Sequence, residues 1–382
     1  MRALVCFADV RNLRKTLFAA AAVLALAGPA SADFIKQTNL ITDDQTVNHA
    51  QLTDPSLTNA WGISYGPTPF WVSANGSSIS EIYRVDPATN AVTRLGSPTI
   101  PGAGNVTGQT FNSGASGGAF NSDLFLFVSE DGTVSGWRGA FGVNGTAEVL
   151  QTGNGTNIYK GTTIANVGGH MYLYSANFGT GSIDVMKGDA GAPNLTGSFI
   201  DPTLPAGYHP FNVQILNGHI FVTYALNNGT VDEAHGAGLG LVDEYDTNGN
   251  LIGRVASNGG VLDAPWGLAI APADFGKFAG DLLVGNFGDG TINAFDLSTM
   301  MFVGKLTDQS GKVITIDGLW GLIPGNGSAA GNPNDIYFSA GPGDENHGLF
   351  GALSFVPEPA SMFLFAAGLL GFAARRRFGV TV

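Results

Sequence analysis

The chain has 382 residues, 56 of them glycine, with 12% charged residues, one cysteine and a formal net charge of −13 at pH 7. So acidic a surface repels phosphate backbones and anionic lipid, which excludes nucleic acid as a partner. The glycine content and sparse charge fit a secreted, turn-dense β protein rather than a cytosolic helical enzyme.

The N-terminus reads as an export signal. Arg2, Arg11, Arg14 and Lys15 form a positive region, residues 17–27 an apolar one, and Ala30-Ser31-Ala32 a small-residue cleavage site. A signal peptide over 1–32 is therefore predicted, with the mature chain beginning near Asp33. The lone Cys6 leaves with it, so disulfides, thiolate metal sites and cysteine nucleophiles are excluded together. Residues 33–356 keep 10 Lys and Arg against 28 Asp and Glu, a balance of 10 − 28 = −18.

Next comes a recurring unit: a strand opening with an aromatic and Gly, a second strand ending in a small residue and Asn, a Gly turn, then a third strand. One copy is Trp61-Gly62-Ile63, Phe70 to Gly76 and Ile79 to Val85; the best preserved is Trp266-Gly267-Leu268, Leu282 to Gly288 and Thr291 to Asp296. Second-strand ends fall near 75, 130, 177, 225, 286 and 340, in steps of 55, 47, 48, 61 and 54 residues. A four-stranded blade with its loops needs about 40 to 50 residues, so the spacing predicts an all-β, six-bladed β-propeller over 33–355. No stretch inside it shows sustained helical periodicity with caps. The sixth repeat ends on a third strand, residues 348–355, so its outer strand must come from elsewhere. Residues 34–40 are the candidate, and pairing them would close the ring and remove an exposed edge.

The final segment, 356–382, places Val356-Pro357-Glu358-Pro359 before an apolar run, 360–374, and Arg375-Arg376-Arg377 after it. As a helix that run spans about 22 Å, short of a hydrocarbon core of about 30 Å, and the arginines orient it with its end inside. This order resembles the PEP-CTERM sorting tail of Gram-negative bacteria. The resemblance implies transient anchoring of this helix in the inner membrane, recognition by an exosortase-type enzyme, cleavage near Pro357-Glu358-Pro359, and release at the cell surface or outside the cell. An uncleaved C-terminal anchor is the alternative. The Trp-Gly and Leu-Val-Gly-Asn-Phe-Gly-Asp-Gly-Thr-Ile patterns are similar to NHL-type and lactonase-like six-bladed propellers, and the whole arrangement resembles a PEP-CTERM-associated propeller family.

In a propeller, first-strand starts and second-strand ends share one face near the axis, so a funnel is expected from Asn59, Trp61, Asn75, Asn177, Asn212, Trp266, Asn286 and Trp320, with Glu130, Asp263, Asp317 and His209 beside them. Glu130, Asp263 and Asp317 with the asparagines suit a hard cation such as Ca²⁺; equally, Asn before Gly caps turns through its own backbone. His209 is a candidate base or ligand, or a hydrogen-bonded structural residue. The tryptophans suit stacking on extracellular polysaccharide, or packing in the wedge between blades. Asp232-Glu233-Ala234-His235 reads as a solvated loop, with a surface cation site as the alternative. The function expected is a binding or structural protein of the cell surface or matrix; a metal-dependent, lactonase-like hydrolase or lyase is the alternative.

Overall fold

The computed structural model describes residues 34–357, so Ala30 and Ala32 of the signal segment and Glu358, Pro359, Arg375, Arg376 and Arg377 of the sorting segment lie outside the described residues. Within them the inner strands of six sheets are Ala60–Ser64, Val106–Phe111, Tyr159–Val167, Tyr208–Leu216, Pro265–Ile270 and Leu319–Pro324. Each contacts the next in this order and the last contacts the first, which is a closed six-bladed propeller.

Blades 1, 2 and 5 are four-stranded meanders. Blade 4 carries an additional two-residue strand, Glu233–Ala234, on the end of its second strand. Blade 6 is closed as the sequence predicts: Phe34–Thr42 runs antiparallel to Leu349–Val356 in the register Ile35↔Phe355 and Thr38↔Ala352. Two strands more than 300 residues apart in sequence thereby hide each other's hydrogen-bonding edge. Blade 3 departs from the four-strand unit and stops at Ser182–Lys187. The chain that follows is drawn to blade 4, where the amides of Gly197 and Phe199 donate to Asn248 O and Gly249 O.

Packing follows the same symmetry. Six apolar clusters fill the wedges between successive blades, such as Trp71, Phe125 and Trp137 between blades 1 and 2. A seventh lies on the axis and contains Trp61, Trp266 and Trp320. Those three tryptophans thus sit outside the inter-blade wedges that the sequence offered as their packing site. Turn chemistry is local: at Asp131-Gly132 the glycine has φ 83°, and Asp131 Oδ1 accepts the amide of Thr133.

Candidate functional site

All six inner strands break register with their neighbours at one level. The breaks fall between Ala60 and Ile63, Val106 and Gln109, Tyr159 and Thr162, Pro210 and Asn212, Pro265 and Gly267, and Leu319 and Leu322. Such bulges re-aim side chains. They carry Trp61, Thr107, Lys160, Phe211, Trp266 and Trp320, followed by Gly62, Gly108, Gly161, Asn212, Gly267 and Gly321. Glycine is needed because adjacent strands nearly touch there: a Cβ on Gly267 would stand 2.6 Å from Trp320 O, and one on Gly108 2.6 Å from Thr162 N. Beside Gly161 the space is taken by the Asn212 carboxamide, 2.0 Å from where a Cβ would be.

The aromatic members seal the axis against one another. Trp320 stacks on Trp61 at 3.7 Å and on Phe287 at 3.9 Å, with Trp266 edge-on to both indoles. Being buried in this plug, the three indole rings pack against aromatic partners rather than being presented to a ligand.

Blade 3 places a lysine where four other blades place an aromatic. Lys160 is 2% exposed, and its Nζ lies 2.6 Å from Glu130 Oε1 and 5.1 Å from the Trp61 ring centroid. Burial alone would lower its pKa, but Glu130 and Glu233 outweigh that and hold the ammonium above the ordinary lysine value. Asn59, at φ 49°, organises the carboxylate opposite. Its Nδ2 donates to Glu345 Oε2 at 2.7 Å and Asn75 Oδ1 at 3.1 Å, while its Oδ1 accepts from the indoles of Trp61 and Trp320. With all four hydrogen-bonding positions used, this side chain ties the plug to the polar layer above it. Burial pushes Glu345 up to about 7, opposed by the Asn59 bond and Lys160 and reinforced by Glu233 and Glu130.

The two-residue strand brings Glu233 to the same cluster, buried, with His235 Nε2 3.4 Å from its Oε1 and the imidazole edge-on to Phe287. The hydrogen bond to Glu233 raises the His235 pKa. Of the segment 232–235, read from sequence as a solvated loop, Glu233 and Ala234 pair with Asn227 and Leu226 and Glu233 is buried, while Asp232 and His235 are exposed.

The expected funnel residues divide. Asn59, Trp61, Asn75, Glu130, Trp266 and Trp320 meet at the upper end of the axis, where the inner strands begin. Asn177 caps a blade turn, accepting the amides of Ile158 and Thr180 and donating to Asp184. Asn286 likewise donates to Val261 O and Asp289. Asn212 donates to Trp266 O inside the bulge ring, and His209 Nδ1 lies 2.6 Å from Phe178 O with its ring against that phenyl. The proposed cation ligands do not converge: Glu130 is held by Lys160, Asp263 accepts the Gly236 amide, and exposed Asp317 accepts the Gly343 amide. Among the described residues no group of three or more His, Cys, Asp or Glu is placed to hold a metal. Lys160, Glu233 and Glu345 were not singled out from sequence for this site; the signal for the first was Lys160-Gly161 standing in register with the Trp-Gly repeats.

The fold and tail define the class: a six-bladed β-propeller carrying a PEP-CTERM protein-sorting motif, which matches over residues 355–377 and marks the chain for export and exosortase-type processing. The chain is 32% identical to the uncharacterized protein R648 of Acanthamoeba polyphaga mimivirus over 85% of its length and 82% of that protein's. It is 31% identical to the uncharacterized protein L690 of the same virus, over 85% and 87% respectively. It belongs to the family of these proteins. Among solved structures, the GH93 α-L-arabinofuranosidase of Fusarium graminearum superposes over 84% of this chain and 97% of its own with a TM-score of 0.51 and 10% identity. The PQQ-bound aldose sugar dehydrogenase of Streptomyces coelicolor covers 86% of this chain and 100% of its own at a TM-score of 0.48 and 15% identity. Identity this low speaks to the fold alone.

Proposed function

We propose that this chain is an exported binding protein of the cell surface or matrix that holds a polyhydroxylated ligand, an extracellular polysaccharide, over the Lys160 cluster. Its delivery would follow signal cleavage after Ala32, passage of the propeller 33–355 across the inner membrane, and removal of the 356–382 anchor. The observation that carries the reading is the lysine substituted into the aromatic ring, with Glu130, Glu233, Glu345 and Asn59 gathered about it. One ammonium, several carboxylates and an amide are the donors and acceptors that sugar hydroxyls need. Recognition would run through hydroxyl hydrogen bonds, since the indoles are engaged with each other. A glycan-binding screen of the mature protein tests this. Lys160→Met should weaken the retained glycan about tenfold or more, consistent with loss of a charged hydrogen bond, and chelators should leave it unchanged. Undiminished binding in that variant refutes the site.

A second reading is hydrolysis, favoured by Glu345: a carboxyl titrating near 7 is suited to general acid or base work at neutral pH. It rests on that carboxyl rather than on the set Glu130, Asp263 and Asp317. Turnover of a glycoside or lactone that survives chelation and disappears in Glu345→Gln, with ligand binding kept, would select it over simple binding.

A further inference from the structure

Twelve large apolar side chains are exposed among the described residues, and six of them gather on two neighbouring blades. Leu251 and Ile252 open the outermost strand of blade 4, Met301, Phe302 and Val303 open that of blade 5, and the two strands touch. Ile200 joins them, because the amide of its neighbour Phe199 donates to Gly249 O in the turn that leads into Leu251. Met301 is 64% exposed, Ile200 66% and Ile252 50%. Outer strands are ordinarily kept polar or charged, as in blade 6, whose outer strand exposes Lys36 and Gln37. Apolar side chains gathered on a surface in this way mark a place of contact.

Strand direction places the arc. In blades 4 and 5 the inner strand runs down from the upper end and every following pair is antiparallel, so the outermost strands start at the lower end, with Leu251 and Met301. In blade 6 the third strand runs down by the same alternation and ends there at Val356, paired with Phe34. The chain therefore enters and leaves the propeller at its lower end, towards the two segments that the sequence assigns to the membrane, 17–27 and 360–374. Three residues, 357–359, stand between Val356 and the second of these, a reach of at most about 14 Å. So short a tether leaves the lower end against the bilayer whenever the tail is anchored.

We propose that this arc is a membrane-contacting surface. While the tail anchors the chain, Ile252, Met301 and Phe302 enter the interfacial layer of the bilayer, and the Lys160 end of the axis faces away from it. Apolar side chains of interfacial segments sink about 5–10 Å into the headgroup boundary, within what the tether allows. The contact is apolar rather than electrostatic: the turns beside the arc carry Asp246 and Asp296, and the chain as a whole is acidic. A zwitterionic lipid surface is the one it fits.

The test places the full chain in phosphatidylcholine vesicles, with Cys6→Ser so that one introduced thiol can carry an environment-sensitive fluorophore. The label goes at Met301→Cys, or at Ile252→Cys should that variant not fold, and at exposed Asp317→Cys on the upper end as the reference. Blue-shifted emission at 301 and 252, with quenching by nitroxide-bearing lipid at least about fivefold stronger than at 317 and unchanged in 1 M salt, is expected for an apolar contact. Phe302→Asp should reduce the quenching at 252 severalfold. The proposal is overturned if quenching at 301 and 252 equals that at 317, if salt abolishes it, or if Phe302→Asp leaves it untouched. Blue-shifted emission without lipid quenching would show that protein covers the arc, a second copy or the chain's own apolar run, and overturns it equally.

Discussion

The two ends of the propeller axis are built from the same six strands and differ in chemistry. Above the bulge ring, Lys160, Glu130, Glu233 and Glu345 concentrate charge in a small, largely buried volume. Below it, an axial cavity of about 380 Å³ walled by all six inner strands has no charged side chain. Between them lies the tryptophan plug, whose indole N–H groups reach up to Asn59 from Trp61 and Trp320 but find no partner from Trp266. The difference shows that a repeated backbone device, the bulge, fixes where side chains go, while the single residue each blade places on it decides what each end presents.

The contrast can be broken at the backbone. Removing Phe34–Thr42 should have the largest effect, because it strips blade 6 of its closing strand and exposes the edge of Leu349–Val356; loss of the cooperative thermal transition, followed by circular dichroism, is expected. Gly267→Val should be next, destabilising by about 2–3 kcal/mol as its Cβ is driven against Trp320 O. Gly253→Ala, where a Cβ meets nothing within 4 Å, serves as the matched control and should stay within about 0.5 kcal/mol. Chemical denaturation of the two variants side by side measures the difference.

A smaller effect sharpens the contrast by pH. The folded-state pKa of Glu345 lies at about 7 against an ordinary 4.5, so its protonated form is the one the fold favours. That contribution is fully present below pH 4.5 and is lost as pH rises through 7, at most ~3 kcal/mol. Glu345→Gln, neutral at every pH, should therefore flatten this part of the stability profile and melt higher than the parent at pH 8. A variant whose profile from pH 4.5 to 8 overlays that of the parent would show that Glu345 is not buried against charge as described.

Legibility varied with the range of the interaction. The Trp-Gly repeats and the spacing of second-strand ends were visible because each blade is a local hairpin series with its own turn residues. The closing strand was visible by elimination, as an unassigned apolar segment facing an incomplete blade. The three-stranded blade 3 was not, since the pull on residues 188–207 comes from a turn of blade 4. Among the site residues, Asn59 and Glu130 were legible as first-strand and second-strand neighbours respectively. Asn177 and Asn286 looked the same in sequence but cap turns, because only the backbone around them decides which donors lie within reach. Glu345 gave no local signal, and Glu233 was read only as part of a surface segment; they reach the site on a loop of blade 6 and a two-residue strand of blade 4.

Sequence alone determined the PEP-CTERM sorting motif, the absence of cysteine in residues 33–356, the all-β repeat, its count of six and its mode of closure. These follow from composition, spacing and alternation, which act along the chain. Tertiary structure decided that the tryptophans would seal the axis, that Lys160 would be buried among carboxylates, and that Glu345 would titrate near neutrality. Those properties depend on desolvation and on charges brought together from four different blades, and neither is written in any local stretch of sequence.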